Sequence, residues 1–143
     1  MIAPFCVEAV AESRRDALPP VEGRWVAERR NLTIDVSRCG AGWCGVEVSD
    51  GKTCGAIALR FELIPGSKEW PQERLSGRLE LASDAQRYAV VLNFFQLNDG
   101  DPVKLIISGN PGDQFEPWRR NFPFRELLAR AGDAMCPPVA KVS

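Results

Sequence analysis

The sequence predicts an all-β fold: a single antiparallel up-and-down barrel of about eight strands, with a two-sheet sandwich as the less favoured arrangement. Three observations carry this expectation. Apolar residues recur with a period of two along most of the chain. Turn-forming clusters separate these runs at short intervals. The 143 residues fit one domain, which is large enough to build a proper core.

The first twenty residues stand apart. "MIAPFCVEAVAES" is apolar for seven residues and reaches Ala9-Val10-Ala11, a small-x-small pattern of the kind that ends a secretory signal. The alternative is a short amphipathic helix, "VEAVAESRRDAL", stopped by Pro19-Pro20. Both readings stay open, and residues 21–143 are assigned to the barrel.

"EGRWVAE", residues 22–28, is the first strand. Leu32, Ile34 and Val36 alternate with Thr33, Asp35 and Ser37 in the second. Val46 and Val48 are expected to face inward on the third, and Ile57, Leu59, Phe61 and Leu63 on the fourth. Leu75, Leu79 and Leu81 mark the fifth; Tyr88, Val90, Leu92 and Phe94 the sixth; Val103, Leu105 and Ile107 the seventh. Trp118, Phe122 and Phe124 mark the eighth. The turns fall at Asp50-Gly51, Pro65-Gly66, Ser83-Asp84, 98–101 and 109–113. "RELLARAG", residues 125–132, is rich in helix formers and ends in glycine, so a short C-terminal helix is expected there.

Of five cysteines, Cys39 and Cys44 flank a four-residue "GAGW" loop, a spacing that a disulfide can bridge. Cys54 and Cys136 form the second expected pair, tying the C-terminal tail to the barrel, and Cys6 is left in the N-terminal segment. Strict alternation puts Cys39 with the outward set and Cys44 with the inward one, so a bulge at Gly40, Gly42 or Gly45 is expected to bring them to one face. The competing readings are weaker. A redox pair normally has two intervening residues, and a four-cysteine zinc site uses close pairs. Stable disulfides imply an oxidising compartment, periplasmic or extracellular.

These residues resemble a family of uncharacterised secreted bacterial proteins with a lipocalin-like barrel, which carry a G-x-W start and a C-G-x-x-L-C-G hairpin. Gly23-Arg24-Trp25 and Cys39-Gly40-Ala41-Gly42-Trp43-Cys44-Gly45 carry the likeness over residues 21–49, with Trp43 where that family usually has leucine. A late W-x-R has a counterpart in Trp118-Arg119-Arg120. The resemblance implies export and an envelope location but no established activity. It also implies a barrel-end cap, with Arg120 from the last strand stacked on Trp25.

The formal net charge of -1 supplies no field to gather nucleic acid. No apolar run approaches the roughly 18 residues of a spanning helix. The chain contains no histidine, which removes the commonest general base and metal ligand. Asp99, Asp101 and Asp113 are the one acidic loop cluster and read more simply as turn formers. The expectation is a non-enzyme without cofactor or metal. It binds a small apolar ligand in a cavity walled by Phe61, Tyr88, Phe94, Leu105 and Ile107, or binds an envelope protein. The alternative is an interaction or inhibitor module with a solid core, using a patch around Trp43 and Trp70, like the small barrels that block secreted metalloproteases.

Overall fold

The computed structural model describes residues 21–138. The readings of residues 1–20, Cys6 included, lie outside the described residues. Eight strands follow in order: β1 (Gly23–Ala27), β2 (Thr33–Cys39), β3 (Gly42–Ser49), β4 (Thr53–Ile64), β5 (Arg74–Glu80), β6 (Arg87–Phe95), β7 (Lys104–Pro111) and β8 (Phe124–Gly132). Each pairs antiparallel with its sequence neighbour, and β8 returns to β1, closing an up-and-down barrel. Closure leaves no strand edge with unpaired main-chain groups.

The period-two pattern works because one face of every strand turns to a common core. Trp25, Ile34, Val36, Leu59, Leu79, Val90, Leu105, Ile107 and Leu128 are all fully buried there in one cluster. An eight-stranded barrel has room for little more than such side chains. The Trp25 indole donates to the Val21 carbonyl at 3.0 Å and meets the Phe94 ring edge-on, with centroids 5.2 Å apart. The wall expected to line a ligand cavity is therefore packed core. Phe61, Leu105 and Ile107 are buried in the same cluster, and Tyr88 and Phe94 pack against it.

Three sequence expectations are corrected. Residues 125–132 are not helical but belong to β8, and there is no helix among the described residues. The eighth strand starts at Phe124, so Trp118 and Phe122 lie in the β7–β8 loop. Val46, Val48 and Ile57 face outward, forming a second apolar cluster with Cys136.

This last correction resolves the cysteine parity problem. The β2–β3 register runs unbroken, with Ser37 opposite Cys44 and Cys39 opposite Gly42, so both cysteines lie on the outer face. No bulge in this hairpin is needed; Gly40, with φ of +64°, instead occupies the first position of a two-residue turn. The register shifts lie between β3 and β4, at Gly45/Val46 and Val46/Val48, where they leave Ala58 without a partner and turn Ile57 outward.

Both expected disulfides form, each with Cα atoms 5.4 Å apart. Cys39–Cys44 closes a small ring worth about 2 kcal/mol in the chain-entropy model. Cys54–Cys136 spans 82 residues and contributes about 4 kcal/mol or more.

Asp35 also points outward, beside Val46, yet it is fully buried. Two separate segments donate to it. Arg24 on β1 donates Nε at 2.7 Å to one carboxylate oxygen and Nη2 at 3.0 Å to the other. The main-chain amides of Met135 and Cys136 each donate at 2.8 Å to the second oxygen. Arg24 in turn reaches the Gly51 carbonyl in the β3–β4 turn at 2.9 Å. Burial pushes the Asp35 carboxyl up, but the bonds from Arg24 and the two amides outweigh it and hold the group below the usual carboxylate range.

A lowered folded-state pKa stabilises the protein fully above the unfolded value of about 4, and that stability is lost as pH falls through the folded value. Asp35→Asn leaves a half-buried guanidinium without its anion and is expected to cost about 3 kcal/mol at neutral pH. It should also flatten the acid limb of the stability curve. Denaturant titrations of both proteins from pH 7 down to about pH 2 check this, and parallel curves would count against the assignment.

Candidate binding groove

A surface feature walled by aromatic side chains lies at the barrel rim beside β5 and β6. It is a groove of about 490 Å³, half open to solvent, with two loops for walls. The β4–β5 loop supplies Trp70. The amide of Ser67 donates to the Trp70 carbonyl at 2.8 Å, and the Trp70 amide donates to the Ser67 hydroxyl at 3.1 Å, closing a tight turn. Gly66 is required before it, because a Cβ there would lie 1.9 Å from the Pro71 carbonyl oxygen.

The β7–β8 loop supplies the other wall, and one buried side chain organises its start. Asn110 is fully buried, donates from Nδ2 to the carbonyls of Pro111 at 3.0 Å and Gln114 at 2.9 Å, and accepts the Glu116 amide at 2.8 Å. With its amide thus satisfied on both sides, burial is not penalised. The loop it shapes brings Phe115 to 6.0 Å from Trp70 and stacks Phe122 on Phe115 at 5.1 Å, centroid to centroid.

Between these walls the groove runs over the rim. Leu63, Leu75 and Phe94 reach it from the inward register, while Arg74, Val91 and Asn93 reach it from the outward register. The Arg74 guanidinium lies 4.0 Å over the Trp70 ring, and its Nε and Nη1 are buried with no hydrogen-bond partner among the described residues.

The residues singled out from sequence are distributed as follows. Phe94 lines this groove, whereas Tyr88 does not: its ring tilts onto Phe124 and its hydroxyl donates to Asp84 at 2.9 Å. Burial and that bond raise the tyrosine pKa, and Asp84 is lowered by the Gln86 amide and then by the Tyr88 hydroxyl. Trp70 is a groove wall. Trp43 is elsewhere, sandwiched between Phe61 at 5.4 Å and the Arg38 guanidinium at 4.7 Å, so the two tryptophans do not share one groove.

The expected cap of Arg120 over Trp25 is not formed. Arg120 is exposed in the β7–β8 loop, because the strand that closes the barrel begins later than the W-x-R motif. The arginine opposite Trp25 in register is Arg130, whose Nε donates to the Glu22 carbonyl at 3.2 Å. Asp99 and Asp101 sit in the β6–β7 loop at one end of the barrel, and Asp113 follows β7 at the other, 3.6 Å from Arg87. The acidic cluster of the sequence is thus split. Among the described residues there is no group of three or more metal-ligating side chains.

Phe122 reads from the sequence as part of the eighth strand, Phe115 has no assignment there, and Arg74 carries no local signal. The comparisons with known proteins add no assignment. No family model, curated protein or solved structure matches this chain.

Asn110→Ala removes three hydrogen bonds and strands two carbonyls and an amide, so it is expected to lower stability by about 2 kcal/mol. It should also free Phe115 from Trp70. Denaturant unfolding combined with tryptophan emission checks both, and an unchanged spectrum at Trp70 would show that Asn110 does not set the wall.

Proposed function

We propose that this protein is a non-catalytic binding module of the bacterial envelope that takes a small apolar ligand at the rim groove rather than inside the barrel. One observation carries the reading. The interior is filled by packed side chains, while the rim holds a groove of about 490 Å³ walled by Trp70, Phe115 and Phe122 and floored by Leu63, Leu75 and Phe94. Clefts of this size lined by aromatic and aliphatic groups, with a few polar atoms, are the usual form of a small-molecule site.

The envelope location is supported by two disulfides, which persist in oxidising compartments. The G-x-W start and the C-G-x-x-x-C-G hairpin point the same way through their likeness to secreted bacterial proteins. The non-catalytic reading rests on the lack of histidine in the sequence and on the separation of Asp99 and Asp101 from Asp113. A protein-interaction role is the second reading, favoured by Trp118, which is 76% exposed on the β7–β8 loop.

A neutral solvatochromic dye, Nile red, tests the first reading. The protein is expected to bind it with a blue-shifted, enhanced emission. Leu63→Asp, which puts a charge on the groove floor at a position already 43% exposed, should abolish most of that signal. Leu97→Asp, at a position 75% exposed outside the groove, should leave it intact. Dye binding that ignores Leu63→Asp, or no binding at all, would overturn the reading.

A further inference from the structure

Arg74 has an environment that its own chain does not complete. It opens β5, opposite Ile64 on β4, and lines the groove. Its Nε and Nη1 are buried without an acceptor, and among the described residues it forms no ion pair. Glu73, next in sequence and also in the groove lining, is not paired with it. The Trp70 face, 4.0 Å away, compensates part of the charge but accepts no N–H hydrogen bond in the guanidinium plane. Donors left in this state are costly, and an arriving acceptor recovers that cost as affinity.

We propose that the groove ligand is a small amphiphile with a carboxylate, its anionic head taken by Arg74 and its apolar body laid along Leu63, Leu75 and Phe94. This rests on the rim groove being the binding site. A carboxylate matches one edge of the guanidinium through two parallel hydrogen bonds, from Nη2 together with either Nε or Nη1, so it satisfies one of the two buried donors, and stacking on Trp70 holds the guanidinium plane in place beforehand. Glu73 lines the groove without pairing to Arg74, so a monoanionic head supplies the missing partner with the least added charge. A dianionic phosphate would bring excess charge into a groove whose floor and walls are aliphatic and aromatic. Val91, Asn93 and Ser108 also line the groove, whose volume of about 490 Å³ suits a small ligand. The closed barrel offers no free strand edge, so an extended peptide cannot gain affinity by strand addition here.

Isothermal titration of the full-length, disulfide-intact protein with decanoate and decanol tests the proposal, since the two probes share a chain and differ in the head group. The expected result is decanoate binding about ten-fold or more tighter than decanol. In Arg74→Gln the affinities for the two probes converge, and in Arg74→Lys the preference is partly retained. Unfolding curves confirm that both variants remain folded. Equal affinity of the wild-type protein for the two probes would overturn the carboxylate assignment while leaving the groove in place. A carboxylate preference that survives in Arg74→Gln would overturn the role of Arg74. If neither probe binds, the groove reading fails together with this one.

Discussion

The buried carboxylate of Asp35 is the constraint on which the outer architecture depends. An ionised group with no solvent exposure is tolerated only where hydrogen bonds replace its hydration shell. Here four donors do so, from β1 and from the tail after β8, and Arg24 extends the network into the β3–β4 turn. Because the donors come from segments remote in sequence, the group is satisfied only when the tail crosses the outer face of β2. The Cys54–Cys136 bond fixes the same tail to β4, and Val46, Val48 and Ile57 pack beneath it. The covalent, electrostatic and apolar contributions thus select one path for residues 133–138.

This clasp lies across β1 to β4, and the groove lies across β5 to β6. The two regions share a barrel that is solid between them, with Trp25, Leu59, Leu79 and Ile107 packed in its centre. A filled interior has no room to rearrange around a ligand without losing tightly packed contacts. Recognition then falls to the rim, where loops can be shaped by a few polar anchors. Asn110 is one such anchor and the Ser67–Trp70 turn is another. Both spend their hydrogen bonds within the loops, which leaves the aromatic faces free to form walls.

Much of the barrel was legible because alternation reports directly on which face of a strand is buried. It misled where a strand is buried on both faces. Val46, Val48 and Ile57 are apolar because the C-terminal tail covers them, and nothing local to β3 or β4 announces a tail from the far end of the chain. The same segment hid the parity of the cysteines, which needed no bulge once Val46 was understood as outward-facing. At 125–132 helix propensity lost to barrel closure, since β8 must bond to β7 on one side and to β1 on the other. Misplacing that strand also moved the expected Trp25 partner from Arg130 to Arg120. Of the groove, Trp70 and Phe94 were visible as aromatic positions. Phe115 was not, and Phe122 reads as a strand position, because the course of this loop depends on the hydrogen bonds of Asn110 to Gln114 and Glu116, which are conformationally silent in sequence.

The most direct test of the clasp is amide hydrogen exchange at Met135 and Cys136 with both disulfides intact. If the Asp35 carboxylate holds these two amides, they exchange as slowly as the β2 amides of Ile34 and Val36, and Asp35→Asn accelerates them while β2 stays protected. Rapid exchange at both positions in the wild-type protein would contradict the account, because the tail would then be held by its disulfide and apolar packing without the carboxylate.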